Sequence, residues 1–95
     1  ILKDTGTRVD ALYIETIINS NYTANGKSPY NIICEWHNPA DNNKYIFKSK
    51  NIWINPEPII AEKNIKSFPV YVDMNNTHKY VVDVDEIFSN IVDLT

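Results

Sequence analysis

The side chains of this chain that could do chemistry are few and lie in separate segments. Asp73, Asn75 and Thr77 offer oxygen atoms at alternate positions, as the first half of a calcium-binding loop does. Such a loop has glycine at its sixth position and glutamate at its twelfth, where this chain has His78 and Val84. We therefore interpret the segment as a turn rich in hydrogen-bonding side chains. A metal site at Asp73, Asn75 and Thr77 is the weaker alternative, and no cofactor is expected.

Cys34, His37 and His78 are the remaining reactive side chains. The chain has one cysteine, so no internal disulfide can form. On a strand, Cys34 and His37 point to opposite faces, so the imidazole cannot activate the thiol there. No carboxylate or cysteine keeps a zinc-ligand spacing with either histidine. An enzyme is the third-ranked hypothesis, and it requires His37, His78 and Asp73 to meet in the fold.

Aromatic side chains offer a different chemistry, the binding of a ligand against a flat apolar ring. Trp36 and Phe47 are in phase with apolar strand faces, which predicts that they belong to the core. Trp53 and Tyr71 are out of phase with the strongest apolar faces, so they are candidate ligand-binding residues. The predicted ligand-binding residues are Trp53, Tyr71, His37 and His78.

Length and charge limit the possible classes of protein. A chain of 95 residues is one domain, residues 1–95, with enough length for one core. The net charge is −3, and the densest basic group is Lys44, Lys48 and Lys50 on one short stretch. A nucleic-acid-binding face is usually basic because phosphate contacts dominate its affinity. The composition therefore argues against a nucleic-acid partner.

The clearest structural pattern is a β-hairpin over residues 68–85. Two short apolar runs flank a polar tip of residues 73–79, which is rich in asparagine. Because side chains alternate along a strand, each run can bury one face: Val70 and Val72 share a face in the first run, and Tyr80, Val82 and Val84 share one in the second. A second hairpin is predicted from strands over residues 30–37 and 44–50, with a turn between them. The dipeptide Asn25-Gly26 is the strongest turn signal in the chain.

The first strand is predicted over residues 7–18. Val9 and Ala11 share one parity, whereas Leu12, Ile14 and Ile18 share the other, so we expect a bulge near Ala11 and Leu12. Residues 51–66 contain Pro56 and Pro58 and are predicted to be an extended crossover, with Ile59 and Ile60 on the core. Residues 86–94 are predicted to form a short C-terminal helix or a tail.

Together these elements predict a mainly β protein. Five to six strands, the first of them long and curved, indicate either a small barrel, such as an OB-like barrel, or a strongly twisted antiparallel sheet. The ends, residues 1–5 and 86–95, are expected to be flexible or close to a membrane.

Four short motifs are spread along the chain: Gly6-x-Arg8-Val9-x-Ala11, Pro29-Tyr30-x-Ile32, Val70-Tyr71-Val72-Asp73 and Tyr80-x-Val82-Asp83. With these motifs the chain resembles bacterial membrane-associated proteins that carry a small β domain of unknown function beside transmembrane helices. It departs from them at residues 65–67, where they often have a Gly-Asp pair. The resemblance implies a membrane-anchored parent and brings no catalytic residues, and we expect this domain to lie outside the cytoplasm. The start at Ile1 rather than Met agrees with a piece of a longer protein.

From these observations we expect a noncatalytic domain that mediates protein interaction or assembly through a sheet face or an open edge. The alternative is a β-barrel module that binds a small ligand or an oligosaccharide. The expected partner is a protein or a small ligand, and the membrane would be reached only through segments outside these 95 residues. A cytoplasmic location is the alternative to the extracytoplasmic one.

Overall fold

The computed structural model describes residues 2–85. The elements are α1 (Leu2–Thr5), β1 (Thr7–Ile18), β2 (Tyr30–Asn38), β3 (Asn43–Lys48), α2 (Glu57–Glu62), β4 (Ser67–Val72) and β5 (Tyr80–Val82). The strands form one antiparallel sheet in the order β3-β2-β1-β4-β5, so that the long strand β1 lies in its centre. The sheet curls into a half-barrel, which confirms the predicted mainly β class.

The two edge strands, β3 and β5, approach each other at one corner of the half-barrel. The rings of Phe47 and Tyr80 lie 4.8 Å apart, and the backbone N–H of Lys48 donates to the Tyr80 hydroxyl over 3.1 Å. Next to them, the Lys50 ammonium lies 2.7 Å from the Asp85 carboxylate. Side chains therefore hold the edges together where β3 and β5 do not form a ladder. We call Phe47, Lys48, Lys50, Tyr80 and Asp85 the closed corner.

The core fills the concave face of the sheet. Alternation along β4 and the residues after it buries Val70, Val72, Val82 and Val84, as the hairpin pattern predicts. The hairpin of β2 and β3 is confirmed as well, with Cys34 opposite Phe47 and both buried. The fully buried core residues that carry the largest side chains are Phe47, Phe68, Ile32, Val70, Val72 and Val84.

The bulge in β1 lies further along the strand than predicted. Tyr13 pairs with Cys34 and Glu15 pairs with Ile33, so Ile14 is the extra residue. The predicted position near Ala11 and Leu12 was wrong. Because the strand is regular there, Leu12 points away from the buried side of Ala11 and lies exposed on the convex face. Because side chains alternate along a strand, the extra residue moves the concave face from odd to even positions.

The connection between β3 and β4 differs from the predicted extended crossover. It contains the helix α2, which begins directly after Pro56 and includes Pro58 in its first turn. A proline is tolerated there because the first backbone N–H groups of a helix have no partner inside the helix. Because β3 already ends at Lys48, the two prolines mark the start of the helix and not the end of a strand. Ile60 packs in the core, as predicted, and Ile59 is half-buried.

The N-terminal residues form the short helix α1, which is tied to the other end of the described chain. The Lys3 ammonium lies 3.3 Å from the largely buried carboxylate of Asp83. Gly6 follows α1 with its backbone N–H 2.7 Å from the Leu2 carbonyl, and a Cβ atom at Gly6 would lie only 2.6 Å from that oxygen. Residues 2–5 are therefore packed against the domain. The helix predicted over residues 86–94 lies outside the described residues.

Candidate functional site

An open groove of about 610 Å³ lies where β1 ends and β2 begins. We call it the Trp53 groove, because half of the Trp53 side chain is exposed there. Three stretches of chain contribute to it: the end of β1, the loop before β2 and the segment before α2. The residues that line it are Ile18, Lys27, Ser28, Tyr30, Trp53, Ile54 and Asn55.

The bulge in β1 brings Ile18 to this groove. After the extra residue Ile14, even positions of β1 face the concave side, and Thr16 pairs with the buried Ile32. Ile18 pairs with Tyr30 one step beyond the core, so both side chains lie on the concave side at the end of the sheet. The groove therefore continues the apolar concave face past the point where the core ends.

A tight turn positions Lys27. Asn25 and Gly26 have φ values of 53° and 76°, which the two central residues of a type I′ turn require. Ala24 and Lys27 exchange two backbone hydrogen bonds, of 2.8 and 3.0 Å, across this turn. The structure thus confirms the turn predicted from Asn25-Gly26. The base of the loop is closed by the Asn19 N–H, which donates to the Pro29 carbonyl over 2.9 Å.

The segment that carries Trp53 is held at both ends. Ile52 and Tyr30 exchange two backbone hydrogen bonds, of 2.7 and 2.8 Å, which extend the pairing along β2. Pro56 is buried and accepts the N–H of Ile60 in the first turn of α2. Trp53 and the two residues after it therefore span a short distance between two fixed points, so their backbone is positioned while their side chains remain exposed.

The exposed side chains of the groove are mainly apolar. Ile18, Trp53 and Ile54 are 63%, 49% and 42% exposed. Among the described residues that line the groove, Lys27 is the only charged one. No carboxylate in residues 2–85 lies within ion-pair distance of its ammonium. The groove can therefore offer a flat aromatic surface, two aliphatic side chains and one positive charge.

The structure does not bring the predicted ligand-binding residues together. Tyr71 pairs with Arg8 near the start of β1, whereas Trp53 adjoins Ile52 and Tyr30 beside Ile18 at its end. Arg8 and Ile18 are ten positions apart on one strand, which corresponds to roughly 30 Å. One small ligand cannot contact both Trp53 and Tyr71.

His37 and His78 lie in different hairpins and bind their own loops. The His37 ring Nε2 lies 2.9 Å from the side-chain oxygen of Asn42. The backbone N–H of His78 donates to the side-chain oxygen of Asn76 over 3.2 Å. In residues 2–85, no hydrogen bond joins either histidine to the other or to Asp73.

The loop with the alternative metal site uses its oxygen atoms within the turn. The Asp73 carboxylate accepts the backbone N–H of Asn75 over 2.9 Å. Backbone bonds from Asn76 to Asp73 and from Lys79 to Asn76 complete the turn. Within the described part of the chain, no group of three His, Cys, Asp or Glu side chains has a metal-binding arrangement. These contacts support the interpretation of Asp73, Asn75 and Thr77 as a turn.

Cys34 lies in the core. Its side chain is fully buried opposite Phe47, and burial raises the pKa of the thiol to about 12. Because the thiolate is the nucleophilic form, the raised pKa and the burial make the native thiol a poor nucleophile at neutral pH.

Sequence reasoning found Trp53 but missed its neighbours in the groove. Lys27 comes directly after the strongest turn dipeptide, and this position was a signal that its backbone lies at a defined place. Ile54 precedes Pro56 by two residues, and because a proline cannot continue a central strand, this position was a signal that Ile54 lies outside the sheet. Ile18 had no comparable signal, because its place depends on the position of the bulge.

Comparisons with known proteins add no further assignment. A scan of protein-family models and searches of the curated proteins and the solved structures returned no match. Neither helix in residues 2–85 is long and apolar enough to cross a bilayer.

Proposed function

We propose that this chain is a noncatalytic binding domain that mediates protein interaction or assembly, and that its partner docks in the Trp53 groove. One observation carries the proposal: Ile18, Trp53 and Ile54 leave large apolar surfaces exposed within one groove. Isolated exposed apolar side chains are common on proteins, but a contiguous apolar surface indicates an interaction site.

The rigid backbone around Trp53 supports the proposal. Tryptophan is enriched among the residues that contribute most to protein–protein binding. The paired Ile52 and the buried Pro56 hold Trp53 from both sides, so little backbone freedom is lost when a partner binds.

A random-peptide display library tests the proposal. Peptides selected on the wild-type domain should bind it and lose about tenfold or more in affinity for Trp53→Ala, because a central aromatic contact contributes roughly 2 kcal/mol or more. The matched control is Ile46→Ala, since Ile46 is 57% exposed but lies on β3, outside the groove. Peptides that bind Trp53→Ala as tightly as the wild type would refute the proposal.

A second candidate function is the binding of a small ligand or an oligosaccharide in the same groove. It is favoured by the flat indole of Trp53, which lies beside the hydrogen-bonding side chains of Ser28 and Asn55. A sugar ring could stack on the indole while these groups bind its hydroxyls. In a Trp36→Phe background, where Trp53 is the only tryptophan, glycans from a defined panel should then change its fluorescence. An unchanged spectrum across the panel would leave the protein partner as the remaining candidate.

We further propose that the domain belongs to a membrane-anchored bacterial protein and lies outside the cytoplasm. The support is the resemblance carried by the strand motifs around Gly6 and Val70. The test is the hydropathy and the membrane topology of the full-length gene product. A full-length protein without a transmembrane segment, or with this domain on the cytoplasmic side, would contradict it.

A further inference from the structure

We propose that the partner presents an acidic peptide segment, with a bulky apolar side chain on Trp53 and an adjacent carboxylate at Lys27. This inference rests on the proposed function and adds the chemistry of the partner. Its basis is that one groove combines three exposed apolar side chains with one positive charge.

The ammonium group of Lys27 differs from those of several other lysines in the domain. Lys3, Lys44 and Lys50 lie 3.3, 3.7 and 2.7 Å from carboxylates of Asp83, Glu35 and Asp85. In the described part of the chain Lys27 has no such carboxylate, a property that it shares with Lys48, Lys66 and Lys79, but of these four only Lys27 lines the Trp53 groove. Acidic residues outnumber basic ones by 12 to 9 over the whole chain. The groove is therefore a local positive site on a protein of net negative charge.

A second groove differs from the Trp53 groove in the charges of its lining. It has a volume of about 430 Å³ and lies between β1 and α2, with Leu12, Ile60 and Ile65 in its lining. Its lining also contains Glu57 and Lys66, so both signs of charge are present. The charges of this second groove therefore favour neither an acidic nor a basic partner. The lining of the Trp53 groove carries one sign alone, and it therefore favours a partner of the opposite sign.

The two parts of the groove should contribute differently to binding. The apolar contacts with Trp53 supply most of the affinity, because exposed aliphatic and aromatic surface is removed from water. The contact with Lys27 is exposed, so it should change affinity by only about two- to fivefold. Its larger effect should be on partner choice, because a mismatched charge repels while a matched charge attracts.

Selection of random peptides on charge variants tests the inference. Peptides selected on the wild type should combine Asp or Glu with a bulky apolar residue, and their binding should weaken in high salt. Lys27→Glu should instead select peptides with Lys or Arg. Lys27→Gln should select peptides without a preference for either sign of charge. The matched control is Lys66→Glu in the second groove, which should keep the wild-type preference. Circular dichroism checks that each variant remains folded, as expected for exposed positions.

The outcomes separate this inference from the function on which it rests. Trp53-dependent peptides without acidic residues, selected equally by Lys27→Glu, would overturn the inference and leave the proposed function intact. If Lys66→Glu changed the charge of the selected peptides as much as Lys27→Glu does, the inference would also be overturned, since the preference would then follow the net charge of the protein alone. A selection without Trp53-dependent peptides would overturn both.

Discussion

The closed corner buries an aromatic side chain, whereas the Trp53 groove leaves one exposed. Phe47 is 1% exposed and Trp53 is 49% exposed, although only five residues separate them along the chain. Phe47 faces Tyr80, which the curl of the sheet brings from the other edge strand. No strand in residues 2–85 lies across from Trp53, which follows Ile52, the residue that pairs with Tyr30. Burial of an aromatic ring therefore depends here on what the sheet places opposite it.

The two regions also differ in what their contacts accomplish. At the closed corner, a ring contact and a hydrogen bond join β3 to β5, and an ion pair joins Lys50, just after β3, to Asp85, just after β5. In the Trp53 groove, the hydrogen bonds hold the backbone, while the side chains remain without cover. We therefore expect substitutions at the corner to lower the free energy of unfolding, and substitutions in the groove to change binding alone.

The largest effect is expected from Phe47→Ala. Removal of this buried ring should lower the free energy of unfolding by about 3–5 kcal/mol, whereas Trp53→Ala should change it by less than about 0.5 kcal/mol. Urea unfolding measures both. Because Phe47→Ala could abolish folding, Phe47→Leu is the second variant, with an expected loss of about 1 kcal/mol. Equal losses for the Phe47 and Trp53 variants would contradict the contrast between the two regions.

The next effect concerns Cys34, which packs opposite Phe47. Burial raises the pKa of its thiol from 9.0 to about 12. The unfolded chain therefore ionises first, so the contribution of Cys34 to stability is complete below pH 9.0 and is lost as the pH rises towards about 12.

The loss should appear as a steeper decline of stability above pH 9.0 in the wild type than in Cys34→Ala. At pH 9.0, a thiol reagent should label the native protein several hundredfold more slowly than the urea-unfolded protein, as roughly the ratio of thiolate fractions predicts. Rapid labelling of the native protein would place Cys34 at the surface.

A smaller effect is expected from Tyr80→Phe. This change keeps the ring against Phe47 and removes the hydroxyl that accepts the Lys48 N–H. It should lower the free energy of unfolding by about 0.5–1.5 kcal/mol. The matched control is Tyr45→Phe, whose hydroxyl bonds to the exposed carboxylate of Asp41 and should contribute less. A larger loss in the control than in Tyr80→Phe would show that the hydroxyl of Tyr80 does not close the corner.

The smallest effect is expected from Lys50→Gln. The hydrogen bond from Lys50 lowers the pKa of Asp85 below 3.8, so the pair stabilises the fold above this pH and is lost as the pH falls through the lowered value. Both side chains are 62% exposed, so the loss at neutral pH should be about 0–1 kcal/mol and should shrink in high salt. Thermal melts at two salt concentrations measure it. A salt-independent loss above this range would show that the pair is shielded from solvent.

Local patterns predicted much of the sheet. Alternation along β4 and β5 predicted which valines are buried, and Asn25-Gly26 predicted the turn that positions Lys27. The bulge at Ile14 could not be located, because several positions in β1 satisfy the apolar alternation equally well without knowledge of β2. The helix α2 was missed because Pro56 and Pro58 exclude a strand and also suit the start of a helix.

The sequence by itself determined the class of the fold, the two hairpins and the tight turn, because alternation and turn preference act between residues that are close in the chain. Only the tertiary structure decided which aromatic rings are covered and which residues meet in the groove. Ile18, Lys27 and Trp53 come from three separate stretches, and their proximity depends on strand register and on the curl of the sheet. These are long-range properties, since each strand's side chains acquire their neighbours from other strands.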